Sequence, residues 1–295
     1  MGSVCRVVTP DEGLTRHAVD LVDELERTWS RFLPDSEVSA VNDAAGRLTI
    51  VSPHTYELIS HAERARRATG GTFHPLMLDQ LVALGYDRTW SQIERHVDSD
   101  PEGEPDTASG SDLGIELFPD VRGVRIPDGT RFDPGGIGKG LAGDLVAAAL
   151  VEAGATTLQI ELGGDVRVVG PSWTGGPWVV GVDDSDHGVP GAATVSLAEG
   201  GVATSSVLRR RWRRADVVHH HLLDPATGRS AVTDLDSVTA VASTLWWAEV
   251  VAKVALIAGS AGARRVMNEW GASGLLVGAG APPRYEVVTG SADAA

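Results

Sequence analysis

The glycine-rich segment at residues 133–140 constrains this chain more than any other stretch. It reads Asp-Pro-Gly-Gly-Ile-Gly-Lys-Gly and runs directly into a predicted amphipathic helix at about 138–153. Glycines this dense let the backbone come close to a ligand, because no Cβ stands in the way. The first N–H groups of a helix have no partner inside the helix, so they favour a phosphate or pyrophosphate, and Lys139 adds a charge beside them. A purely structural glycine turn is the alternative interpretation.

The residues around this segment exclude two common nucleotide-binding motifs. Lys139 is followed by Gly140, whereas a Walker A loop needs Ser or Thr there to hold magnesium. Residues 125–133 have the pattern of a polar hairpin and not that of the apolar parallel strand of a Rossmann unit. The segment therefore predicts nucleotide binding in another type of fold.

Composition excludes several classes of protein. The chain has 295 residues, of which 42% are hydrophobic, enough to bury the core of one long domain or of two fused lobes. Its net charge of −15 argues against nucleic acid as a partner. One cysteine, Cys5, excludes an internal disulfide and fits a reducing compartment. No apolar run approaches about 18 residues and no signal-peptide pattern opens the sequence, so we expect no membrane span and a cytoplasmic location.

The order of the predicted elements indicates an α+β fold. A strand at 6–8 precedes a helix with a capping box at 9–12, with Pro10 at its first helical position and apolar residues from Leu14 to Phe32. Further helices are predicted at 53–68, 76–83, 138–153, 245–258 and 261–270. Strands are predicted at 114–117, 121–126, 158–162, 166–169, 178–182, 195–197, 207–212, 217–223, 237–242, 274–277 and 285–288. Helices and strands do not alternate regularly, which disfavours a doubly wound parallel sheet.

Residues 98–112 differ in kind from the rest of the chain. They contain six acidic residues and no basic ones. This composition predicts a solvated loop or a disordered insertion, which marks either a boundary between lobes or an insertion within one domain.

Two small polar clusters follow apolar strands. Gly163 and Gly164 precede Asp165, a pattern typical of a hairpin or a bulge and also of a close approach to a ligand. Residues 202–206 form a hydroxyl cluster that includes Thr204 and Ser205. These hydroxyls are candidates for hydrogen bonds to a ligand, although a strand start gives the same pattern.

Three adjacent histidines form the sharpest polar cluster. In a strand, His219 and His221 would share one face and His220 the other. A His-x-His pair lacks the third ligand that a zinc site needs. A single histidine acting as a base next to Asp224 is the better functional hypothesis, although the Asp-Pro-x-Thr-Gly sequence that follows is also typical of a turn.

Five arginines surround Trp212, at positions 209, 210, 211, 213 and 214. They form the one concentrated basic patch of an acidic chain. One interpretation is an edge strand protected by charge. The other is a docking patch for an acidic partner or for ligand phosphates.

Glu249 and Lys253 lie one helical turn apart in a segment that is otherwise apolar. A helix that is hydrophobic on nearly all sides is expected to be buried. A buried Glu–Lys pair costs desolvation, which favours a functional role over a structural one.

Together these segments occur in the order found in the ApbE family of FAD:protein FMN transferases, which attach FMN covalently to other proteins. The chain resembles this family over nearly its whole length, through residues 1–3, 29–42, 70–75, 133–140, 144, 162–165, 203–205 and 221–228. The resemblance implies a single ApbE-like domain over residues 1–295, α+β and T-fold-related. It would have mixed, largely antiparallel sheets with packed helices, and an acidic disordered insertion at 98–112.

The resemblance also implies the chemistry. FAD would lie with its pyrophosphate near the glycine segment and a bound Mg²⁺, and a Ser or Thr hydroxyl of an acceptor flavoprotein would attack the FMN phosphorus and release AMP. The acceptor would carry an Asp-x-x-Ser/Thr-Gly-Ala-Ser/Thr-like motif. His221 would be the base, with Asp224 as its catalytic partner and with the Gly138 carbonyl and Glu249 as metal ligands. The implied FAD-binding residues are Phe32, Asp133, Gly135, Gly136, Gly138, Lys139, Gly164, Thr204 and Ser205.

The chain departs from the family pattern chiefly at the metal. Glu249 and Lys253 stand where family members carry Asp and Thr as ligands. Glutamate can still reach magnesium, but a charged lysine has only donors to offer. Our hypothesis is that Lys253 supplies the positive charge of the metal, which makes FAD binding weakly metal-dependent or metal-free.

Milder departures are His74, Pro134, Ser206 and Leu208. They leave open a change of acceptor or a loss of transfer. Two alternatives therefore stand beside the transferase. One is an FAD pyrophosphatase that gives FMN and AMP, and the other is a non-catalytic FAD-binding protein.

Overall fold

A computed structural model describes residues 4–44, 46–93, 96–97, 113–184 and 186–290. The predicted insertion at 98–112 and the matching segment at 1–3 lie outside the described residues. The helices are α1 Glu12–Trp29, α2 Glu37–Asp43, α3 Pro53–Ala68, α4 Leu78–Ala83, α5 Gly138–Glu152 and α6 Leu245–Glu269. The strands are β1 Cys5–Val8, β2 Thr49–Ile50, β3 His96–Val97, β4 Glu116–Phe118, β5 Gly123–Arg125, β6 Leu158–Leu162, β7 Asp165–Val169, β8 Trp178–Asp184, β9 Val189–Leu197, β10 Gly200–Ser206, β11 Arg211–Arg214, β12 Val217–His220, β13 Leu223–Asp224, β14 Arg229–Ser230, β15 Leu235–Ala242, β16 Ser273–Gly278 and β17 Arg284–Val288.

The chain forms two compact units, each assembled from separate segments. Unit 1 comprises Met1–Gly2, Leu25–Gly135 and Arg209–Val232. Unit 2 comprises Ser3–Glu24, Gly136–Leu208 and Thr233–Ala295. The single domain over residues 1–295 stays a prediction.

Unit 2 is built on an antiparallel sheet of seven strands in the order β1-β6-β7-β10-β15-β16-β17. Helices α5 and α6 pack against this sheet, and β8 and β9 form a separate hairpin. Strand β6 alternates buried and half-buried residues, as expected when one sheet face covers a core. The predicted α+β class with largely antiparallel sheets is confirmed.

Helix α6 is the central core helix of unit 2. It buries residues on all sides, as its nearly continuous apolar sequence predicts. The two helices predicted at 245–258 and 261–270 are joined in it across Gly259, whose φ of 68° is non-helical. Glycine tolerates this left-handed conformation, and Asp234 accepts the N–H of the next residue, Ser260, at 2.8 Å. The chain therefore changes direction here, and Asp234 accepts the N–H that follows the break.

Within the described ranges, α6 is also the one helix that is long and apolar enough to cross a membrane. More than half of its most apolar window is buried inside the protein. This burial is typical of a core helix, which passes the same test of length and hydropathy. The absence of a membrane span stays a prediction.

Unit 1 is organised around small sheets and short helices. Strands β2, β5 and β4 form one sheet, β12, β11 and β3 form another, and β13 pairs with β14. An apolar cluster joins α4 to the second sheet, and its buried members are Met77, Leu81, Leu84, Tyr86, Trp212 and Leu223. Trp212 is anchored at its polar end, because its indole N–H donates to the Leu84 carbonyl at 2.7 Å.

The first helix differs from the prediction at both ends. Asp11, and not Thr9, caps it, since the Asp11 carboxylate accepts the N–H groups of Gly13 at 2.6 Å and of Leu14 at 3.3 Å. The helix starts at Glu12, so Pro10 precedes it. It ends at Trp29, which leaves Phe32 beyond the helix. The prediction was wrong here because Thr, Pro and Asp are all good residues for a helix start and the sequence does not rank them.

The strand predicted at 207–212 is interrupted. Strand β10 ends at Ser206, whose hydroxyl accepts the N–H of Leu208 at 3.1 Å and closes a local turn. Arg210 has a left-handed φ of 48°, and β11 begins only at Arg211. A side-chain hydrogen bond of this kind competes with a strand ladder, which the apolar alternation alone does not reveal.

Asp144 connects the two core helices of unit 2. Its carboxylate accepts the N–H groups of Leu245 at 3.0 Å and of Trp246 at 2.8 Å at the start of α6, and it pairs with Arg167 at 2.9 Å. These are donors that a helix cannot satisfy internally. Asp144 on α5 therefore fixes the start of the helix that carries Glu249 and Lys253.

We expect Asp144→Ala to lower the free energy of unfolding by about 2 kcal/mol, because it removes a helix cap and the ion pair with Arg167. The midpoint of urea denaturation measures this. Asp20→Ala is the matched control, since Asp20 is exposed on α1, and its effect should stay within about 0.5 kcal/mol. Equal midpoints for the two variants would contradict the capping role.

Candidate functional site

Three charged side chains of unit 2 meet at the start of α5. The Lys139 ammonium pairs with the carboxylates of Asp165 and Glu249, the latter at 2.9 Å. Lys139 lies in the first turn of α5, Asp165 begins β7 after its two glycines, and Glu249 lies near the start of α6. The carboxylate side chains are only 4% and 7% exposed. This ion triplet, Lys139–Asp165–Glu249, therefore joins two helices and a strand inside the core.

Backbone donors complete the triplet. The second oxygen of Glu249 accepts the N–H of Gly140 at 2.7 Å, and the second oxygen of Asp165 accepts the N–H of Thr204 at 3.1 Å. A carboxylate at the first turn of a helix is favoured by the helix dipole. Both acids thus have each of their oxygens engaged. Three predicted site residues therefore meet here: Lys139 pairs with Glu249, and Asp165 links Lys139 to Thr204.

The triplet holds more negative than positive charge. Burial by itself would lower the pKa of Lys139, but the two carboxylates outweigh it and raise the pKa of this ammonium above its ordinary value. Burial, the largest cause, and repulsion by Glu249 raise the pKa of Asp165 in spite of its attraction to Lys139. Lys139 therefore stays protonated, and its charge is neutralised by the protein itself.

Lys253 brings a further cation to the glycine segment. A Cβ placed on Gly136 would lie 2.9 Å from Cδ and 3.2 Å from Nζ of Lys253. Gly136 also has a φ of 92°, in the region that favours glycine. Both facts explain why a glycine is required at this position. The Lys253 ammonium lies beside the glycine segment, which is predicted to bind a phosphate.

The residues present do not fit the magnesium site that the family resemblance implies. Magnesium requires free oxygen ligands. The Glu249 carboxylate already accepts hydrogen bonds from Lys139 and Gly140, and Lys253 offers only donors. No group of three or more His, Cys, Asp or Glu side chains within the described residues is placed to hold a metal ion.

The remaining predicted residues of unit 2 directly neighbour, in sequence, residues that form the triplet or contact it. Gly164 forms the turn before Asp165 with a φ of 94°, and Gly138 is the buried first residue of α5. Ser205 follows Thr204 on β10, which is inside a strand and not at a strand start. Thr204 also shares a hydrogen bond with Thr239 at 2.9 Å.

In unit 1, Asp133 belongs to an arginine–aromatic cluster. Its carboxylate pairs with Arg31 at 3.1 Å, and the Arg31 guanidinium lies 4.2 Å from the ring centre of Phe32 and 4.8 Å from that of Tyr86. Phe32 is 38% exposed, so one aromatic surface is accessible to a ligand. A Cβ on Gly135 would lie 2.7 Å from the Asp133 carboxylate, which explains the glycine there.

Sequence reasoning missed two residues of these clusters. Asp165 was noted as part of a hairpin and Arg31 as part of a matching segment, but neither was proposed as a site residue. An arginine directly before an exposed phenylalanine, and an acid directly after a glycine pair between apolar strands, were the available signals. Their partners are distant in sequence, which is why the contacts themselves could not be predicted.

The three histidines are separated by the fold. Strand β12 ends at His220, so the predicted alternation does not extend to His221. His219 is buried and stacks on Trp212 with ring centres 6.0 Å apart. His220 is buried between the Ala231 carbonyl at 3.1 Å and the Leu222 N–H at 3.3 Å, and burial is the main reason that its pKa is lowered. His221 follows the strand and is half-buried, and its role as a base stays a prediction.

Asp224 stabilises the turn between β13 and β14. Its carboxylate accepts the N–H of Ala226 at 2.9 Å, and its carbonyl accepts those of Thr227 at 3.1 Å and Gly228 at 2.9 Å. This is the turn role that the Asp-Pro-x-Thr-Gly sequence predicts. A catalytic role of Asp224 stays a prediction.

Comparison with known proteins identifies the family. The model of the ApbE family matches residues 1–275. The chain belongs to the ApbE family. Among curated relatives, the FAD:protein FMN transferase of Treponema pallidum is 25% identical over 285 residues, covering 88% of this chain and 77% of the relative. The enzyme of the same name from Vibrio cholerae is 27% identical over 247 residues, covering 81% and 71%.

Solved structures of ApbE proteins share this fold. The ApbE protein of Thermotoga maritima has a TM-score of 0.82 and 26% identity, with 97% of this chain and 94% of that chain covered. The apo flavinyl transferase ApbE of Pseudomonas stutzeri has a TM-score of 0.80 and 20% identity, with 98% of this chain and 92% of that chain covered. At this level of identity the comparison shows only that the two folds are alike.

Lys139→Met tests the ion triplet of this ApbE protein. The variant leaves two buried carboxylates without their cation, and we expect it to lose about 3 kcal/mol or more of stability near neutral pH. Without Lys139, the pKa of Asp165 in the folded protein rises further above its pKa in the unfolded chain. The loss of stability caused by ionised Asp165 therefore grows as the pH rises from the unfolded-state pKa through the folded-state pKa. Below the unfolded-state pKa, Asp165 is protonated in both states and this loss vanishes. Thermal unfolding at about pH 5 and about pH 8 should therefore show a larger difference from wild type at the higher pH.

The double variant Lys139→Met/Glu249→Gln is the matched control. It removes one carboxylate charge together with the ammonium, so part of the stability should return. A loss that is independent of pH and is not relieved in the double variant would contradict the electrostatic account.

Proposed function

We propose that this ApbE-family protein is an FAD:protein FMN transferase. It transfers FMN from FAD to a Ser or Thr hydroxyl of an acceptor flavoprotein. The acceptor oxygen forms a bond to the FMN phosphorus, the pyrophosphate P–O bond breaks, and AMP leaves with the bridging oxygen. The products are a flavinylated protein and AMP.

The glycine segment before and within the first turn of α5 is the observation that carries this proposal. It combines left-handed backbone at Gly136 with the nearby Lys253 ammonium, in a chain whose relatives carry the name FAD:protein FMN transferase. These features suit a pyrophosphate. Phosphoryl transfer needs positioning and charge neutralisation more than covalent chemistry from the protein, and such a loop supplies both.

His221 is the proposed base. A hydroxyl attacks phosphorus efficiently only if its proton is removed as the new bond forms. His219 and His220 are buried in packing and hydrogen-bonding roles, which leaves His221 for this step. Phe32 of unit 1, which the family resemblance implies as an FAD contact, is 38% exposed.

The proposed reaction depends weakly on magnesium, or not at all. Glu249 is engaged by Lys139 and Gly140, and Lys253 lies beside Gly136. In this chain the charge of Lys253 takes the part that a bound metal plays at a phosphate. We further propose a cytoplasmic location, and an acceptor that carries an Asp-x-x-Ser/Thr-Gly-Ala-Ser/Thr-like motif.

His221→Ala should abolish most transfer while FAD still binds, because the variant removes the base and leaves the glycine segment intact. We expect the rate to fall by about a hundredfold or more. Intact-protein mass spectrometry of a candidate acceptor domain, with AMP measured alongside, gives the rate.

His17→Ala is the control, since His17 is exposed on α1, and it should transfer at the wild-type rate. AMP release without a mass gain on the acceptor would indicate FAD hydrolysis. Bound flavin without either product would indicate a binding protein.

Lys253→Thr should make FAD binding depend on magnesium, because it removes the ammonium and restores a neutral oxygen ligand. FAD fluorescence quenching, titrated in Mg²⁺ and in EDTA, measures the affinity without turnover. Wild type should differ little between the two conditions. Lys253→Met removes the charge without supplying a ligand, so it should weaken FAD binding in both. A Lys253→Thr protein with equal affinities in Mg²⁺ and EDTA would refute the substitution of lysine for metal.

A further inference from the structure

The basic cluster lies on a hairpin whose position in its sheet is informative. We call residues 209–220 the arginine hairpin; it contains β11, the turn after it and β12. Strand β11 lies between β12 and β3, so it is a central strand and not an edge. The interpretation of these arginines as charges that protect an edge strand is therefore wrong. Their concentration requires another explanation.

Packing fixes the direction in which the arginines point. Trp212 is buried on the inner face of β11, where it donates to the Leu84 carbonyl and packs on Tyr86. Side chains alternate along a strand, so Arg211 and Arg213 lie on the opposite face, and both are exposed. The anchored tryptophan thus presents two guanidinium groups on a rigid strand, roughly 7 Å apart along it.

These two charges are not neutralised by the part of the protein that the structure describes. Neither Arg211 nor Arg213 forms a salt bridge with any described residue, although the chain has 40 acidic residues and many of its other arginines are paired. Arg213 donates to the Asp216 carbonyl at 3.5 Å, but neither guanidinium pairs with a described carboxylate. Exposed guanidinium groups of this kind are suited to carboxylates, which they bind in a two-pronged geometry.

The arginine hairpin leads directly to the candidate base. Arg211 lies opposite His220 in the register of β11 and β12, and His221 is the next residue. The strand pair that carries these arginines therefore directly precedes His221 in the chain. The acceptor is the partner whose hydroxyl must reach that base.

We propose that the exposed face of the arginine hairpin is the docking surface for an acidic region of the acceptor flavoprotein. The proposal rests on the transferase function proposed above. Charge complementarity singles out this occupant, because the surface is locally basic in a protein of net charge −15. A local basic patch on such a protein steers one acidic surface to one place and orients it there.

Charge reversal at the hairpin tests this surface. Arg211→Glu/Arg213→Glu is compared with Arg47→Glu/Arg265→Glu, a control with the same change in net charge at two exposed arginines without a salt bridge to any described residue. The probe is a fluorescein-labelled oligoglutamate peptide, followed by anisotropy at about 50 mM and about 300 mM salt. A labelled oligoglutamine peptide and a labelled oligothymidine strand serve as further arms.

The expected result is specific to the hairpin. Wild type and the control should bind oligoglutamate, with affinity falling as salt rises, and the hairpin variant should bind it about tenfold more weakly or worse. With a functional acceptor, the hairpin variant should show a raised KM for the acceptor and an unchanged kcat. FAD affinity should be equal in all three proteins, which separates loss of docking from loss of the flavin site or of the fold.

Other results overturn the proposal. Equal weakening in the control would mean a general charge effect, and tighter binding of oligothymidine would assign the patch to nucleic acid. Binding of oligoglutamate only after the six acids of residues 98–112 are replaced by amides would mean that the chain occupies the patch itself. If oligoglutamate binds as expected but no acceptor is flavinylated, the transferase function fails while the acidic docking surface stands.

Discussion

The Lys139–Asp165–Glu249 ion triplet is the interaction on which unit 2 depends. It lies where the start of α5, the start of β7 and the start of α6 converge, and it also receives N–H groups from α5 and β10. Buried charges of this kind contribute little net stability, but removing one member leaves the others uncompensated. The triplet therefore fixes the relative positions of α5, α6, β7 and β10, because its ion pairs and hydrogen bonds form only in one arrangement of these elements.

That constraint shapes the surroundings of the glycine segment. Lys139 is held by two carboxylates and Glu249 accepts the Gly140 N–H, whereas the Lys253 ammonium lies beside Gly136. The same arrangement occupies Glu249, which removes a ligand from the metal site expected for an ApbE protein.

Unit 1 also holds its predicted site residues on rigid supports. Arg31 is held between Asp133 and two aromatic rings, and Trp212 anchors a strand whose other face is basic. Two of the three adjacent histidines, His219 and His220, are buried and serve packing and hydrogen bonding. Burial therefore gives His219 and His220 structural roles and leaves His221 as the candidate for chemistry. Adjacent histidines in a sequence need not share one function.

The sequence by itself determined the α+β class, the helix at α3, the glycine segment at the start of α5 and the burial of α6. Each of these depends on local chemistry: capping groups, glycine conformations or apolar periodicity. The sequence did not determine the cap of α1, the break after Ser206, the central place of β11 or the pairing of Lys139 with Asp165. Those features depend on hydrogen bonds and charges between residues far apart in the chain or between competing local donors, and only the tertiary structure decides which partners meet.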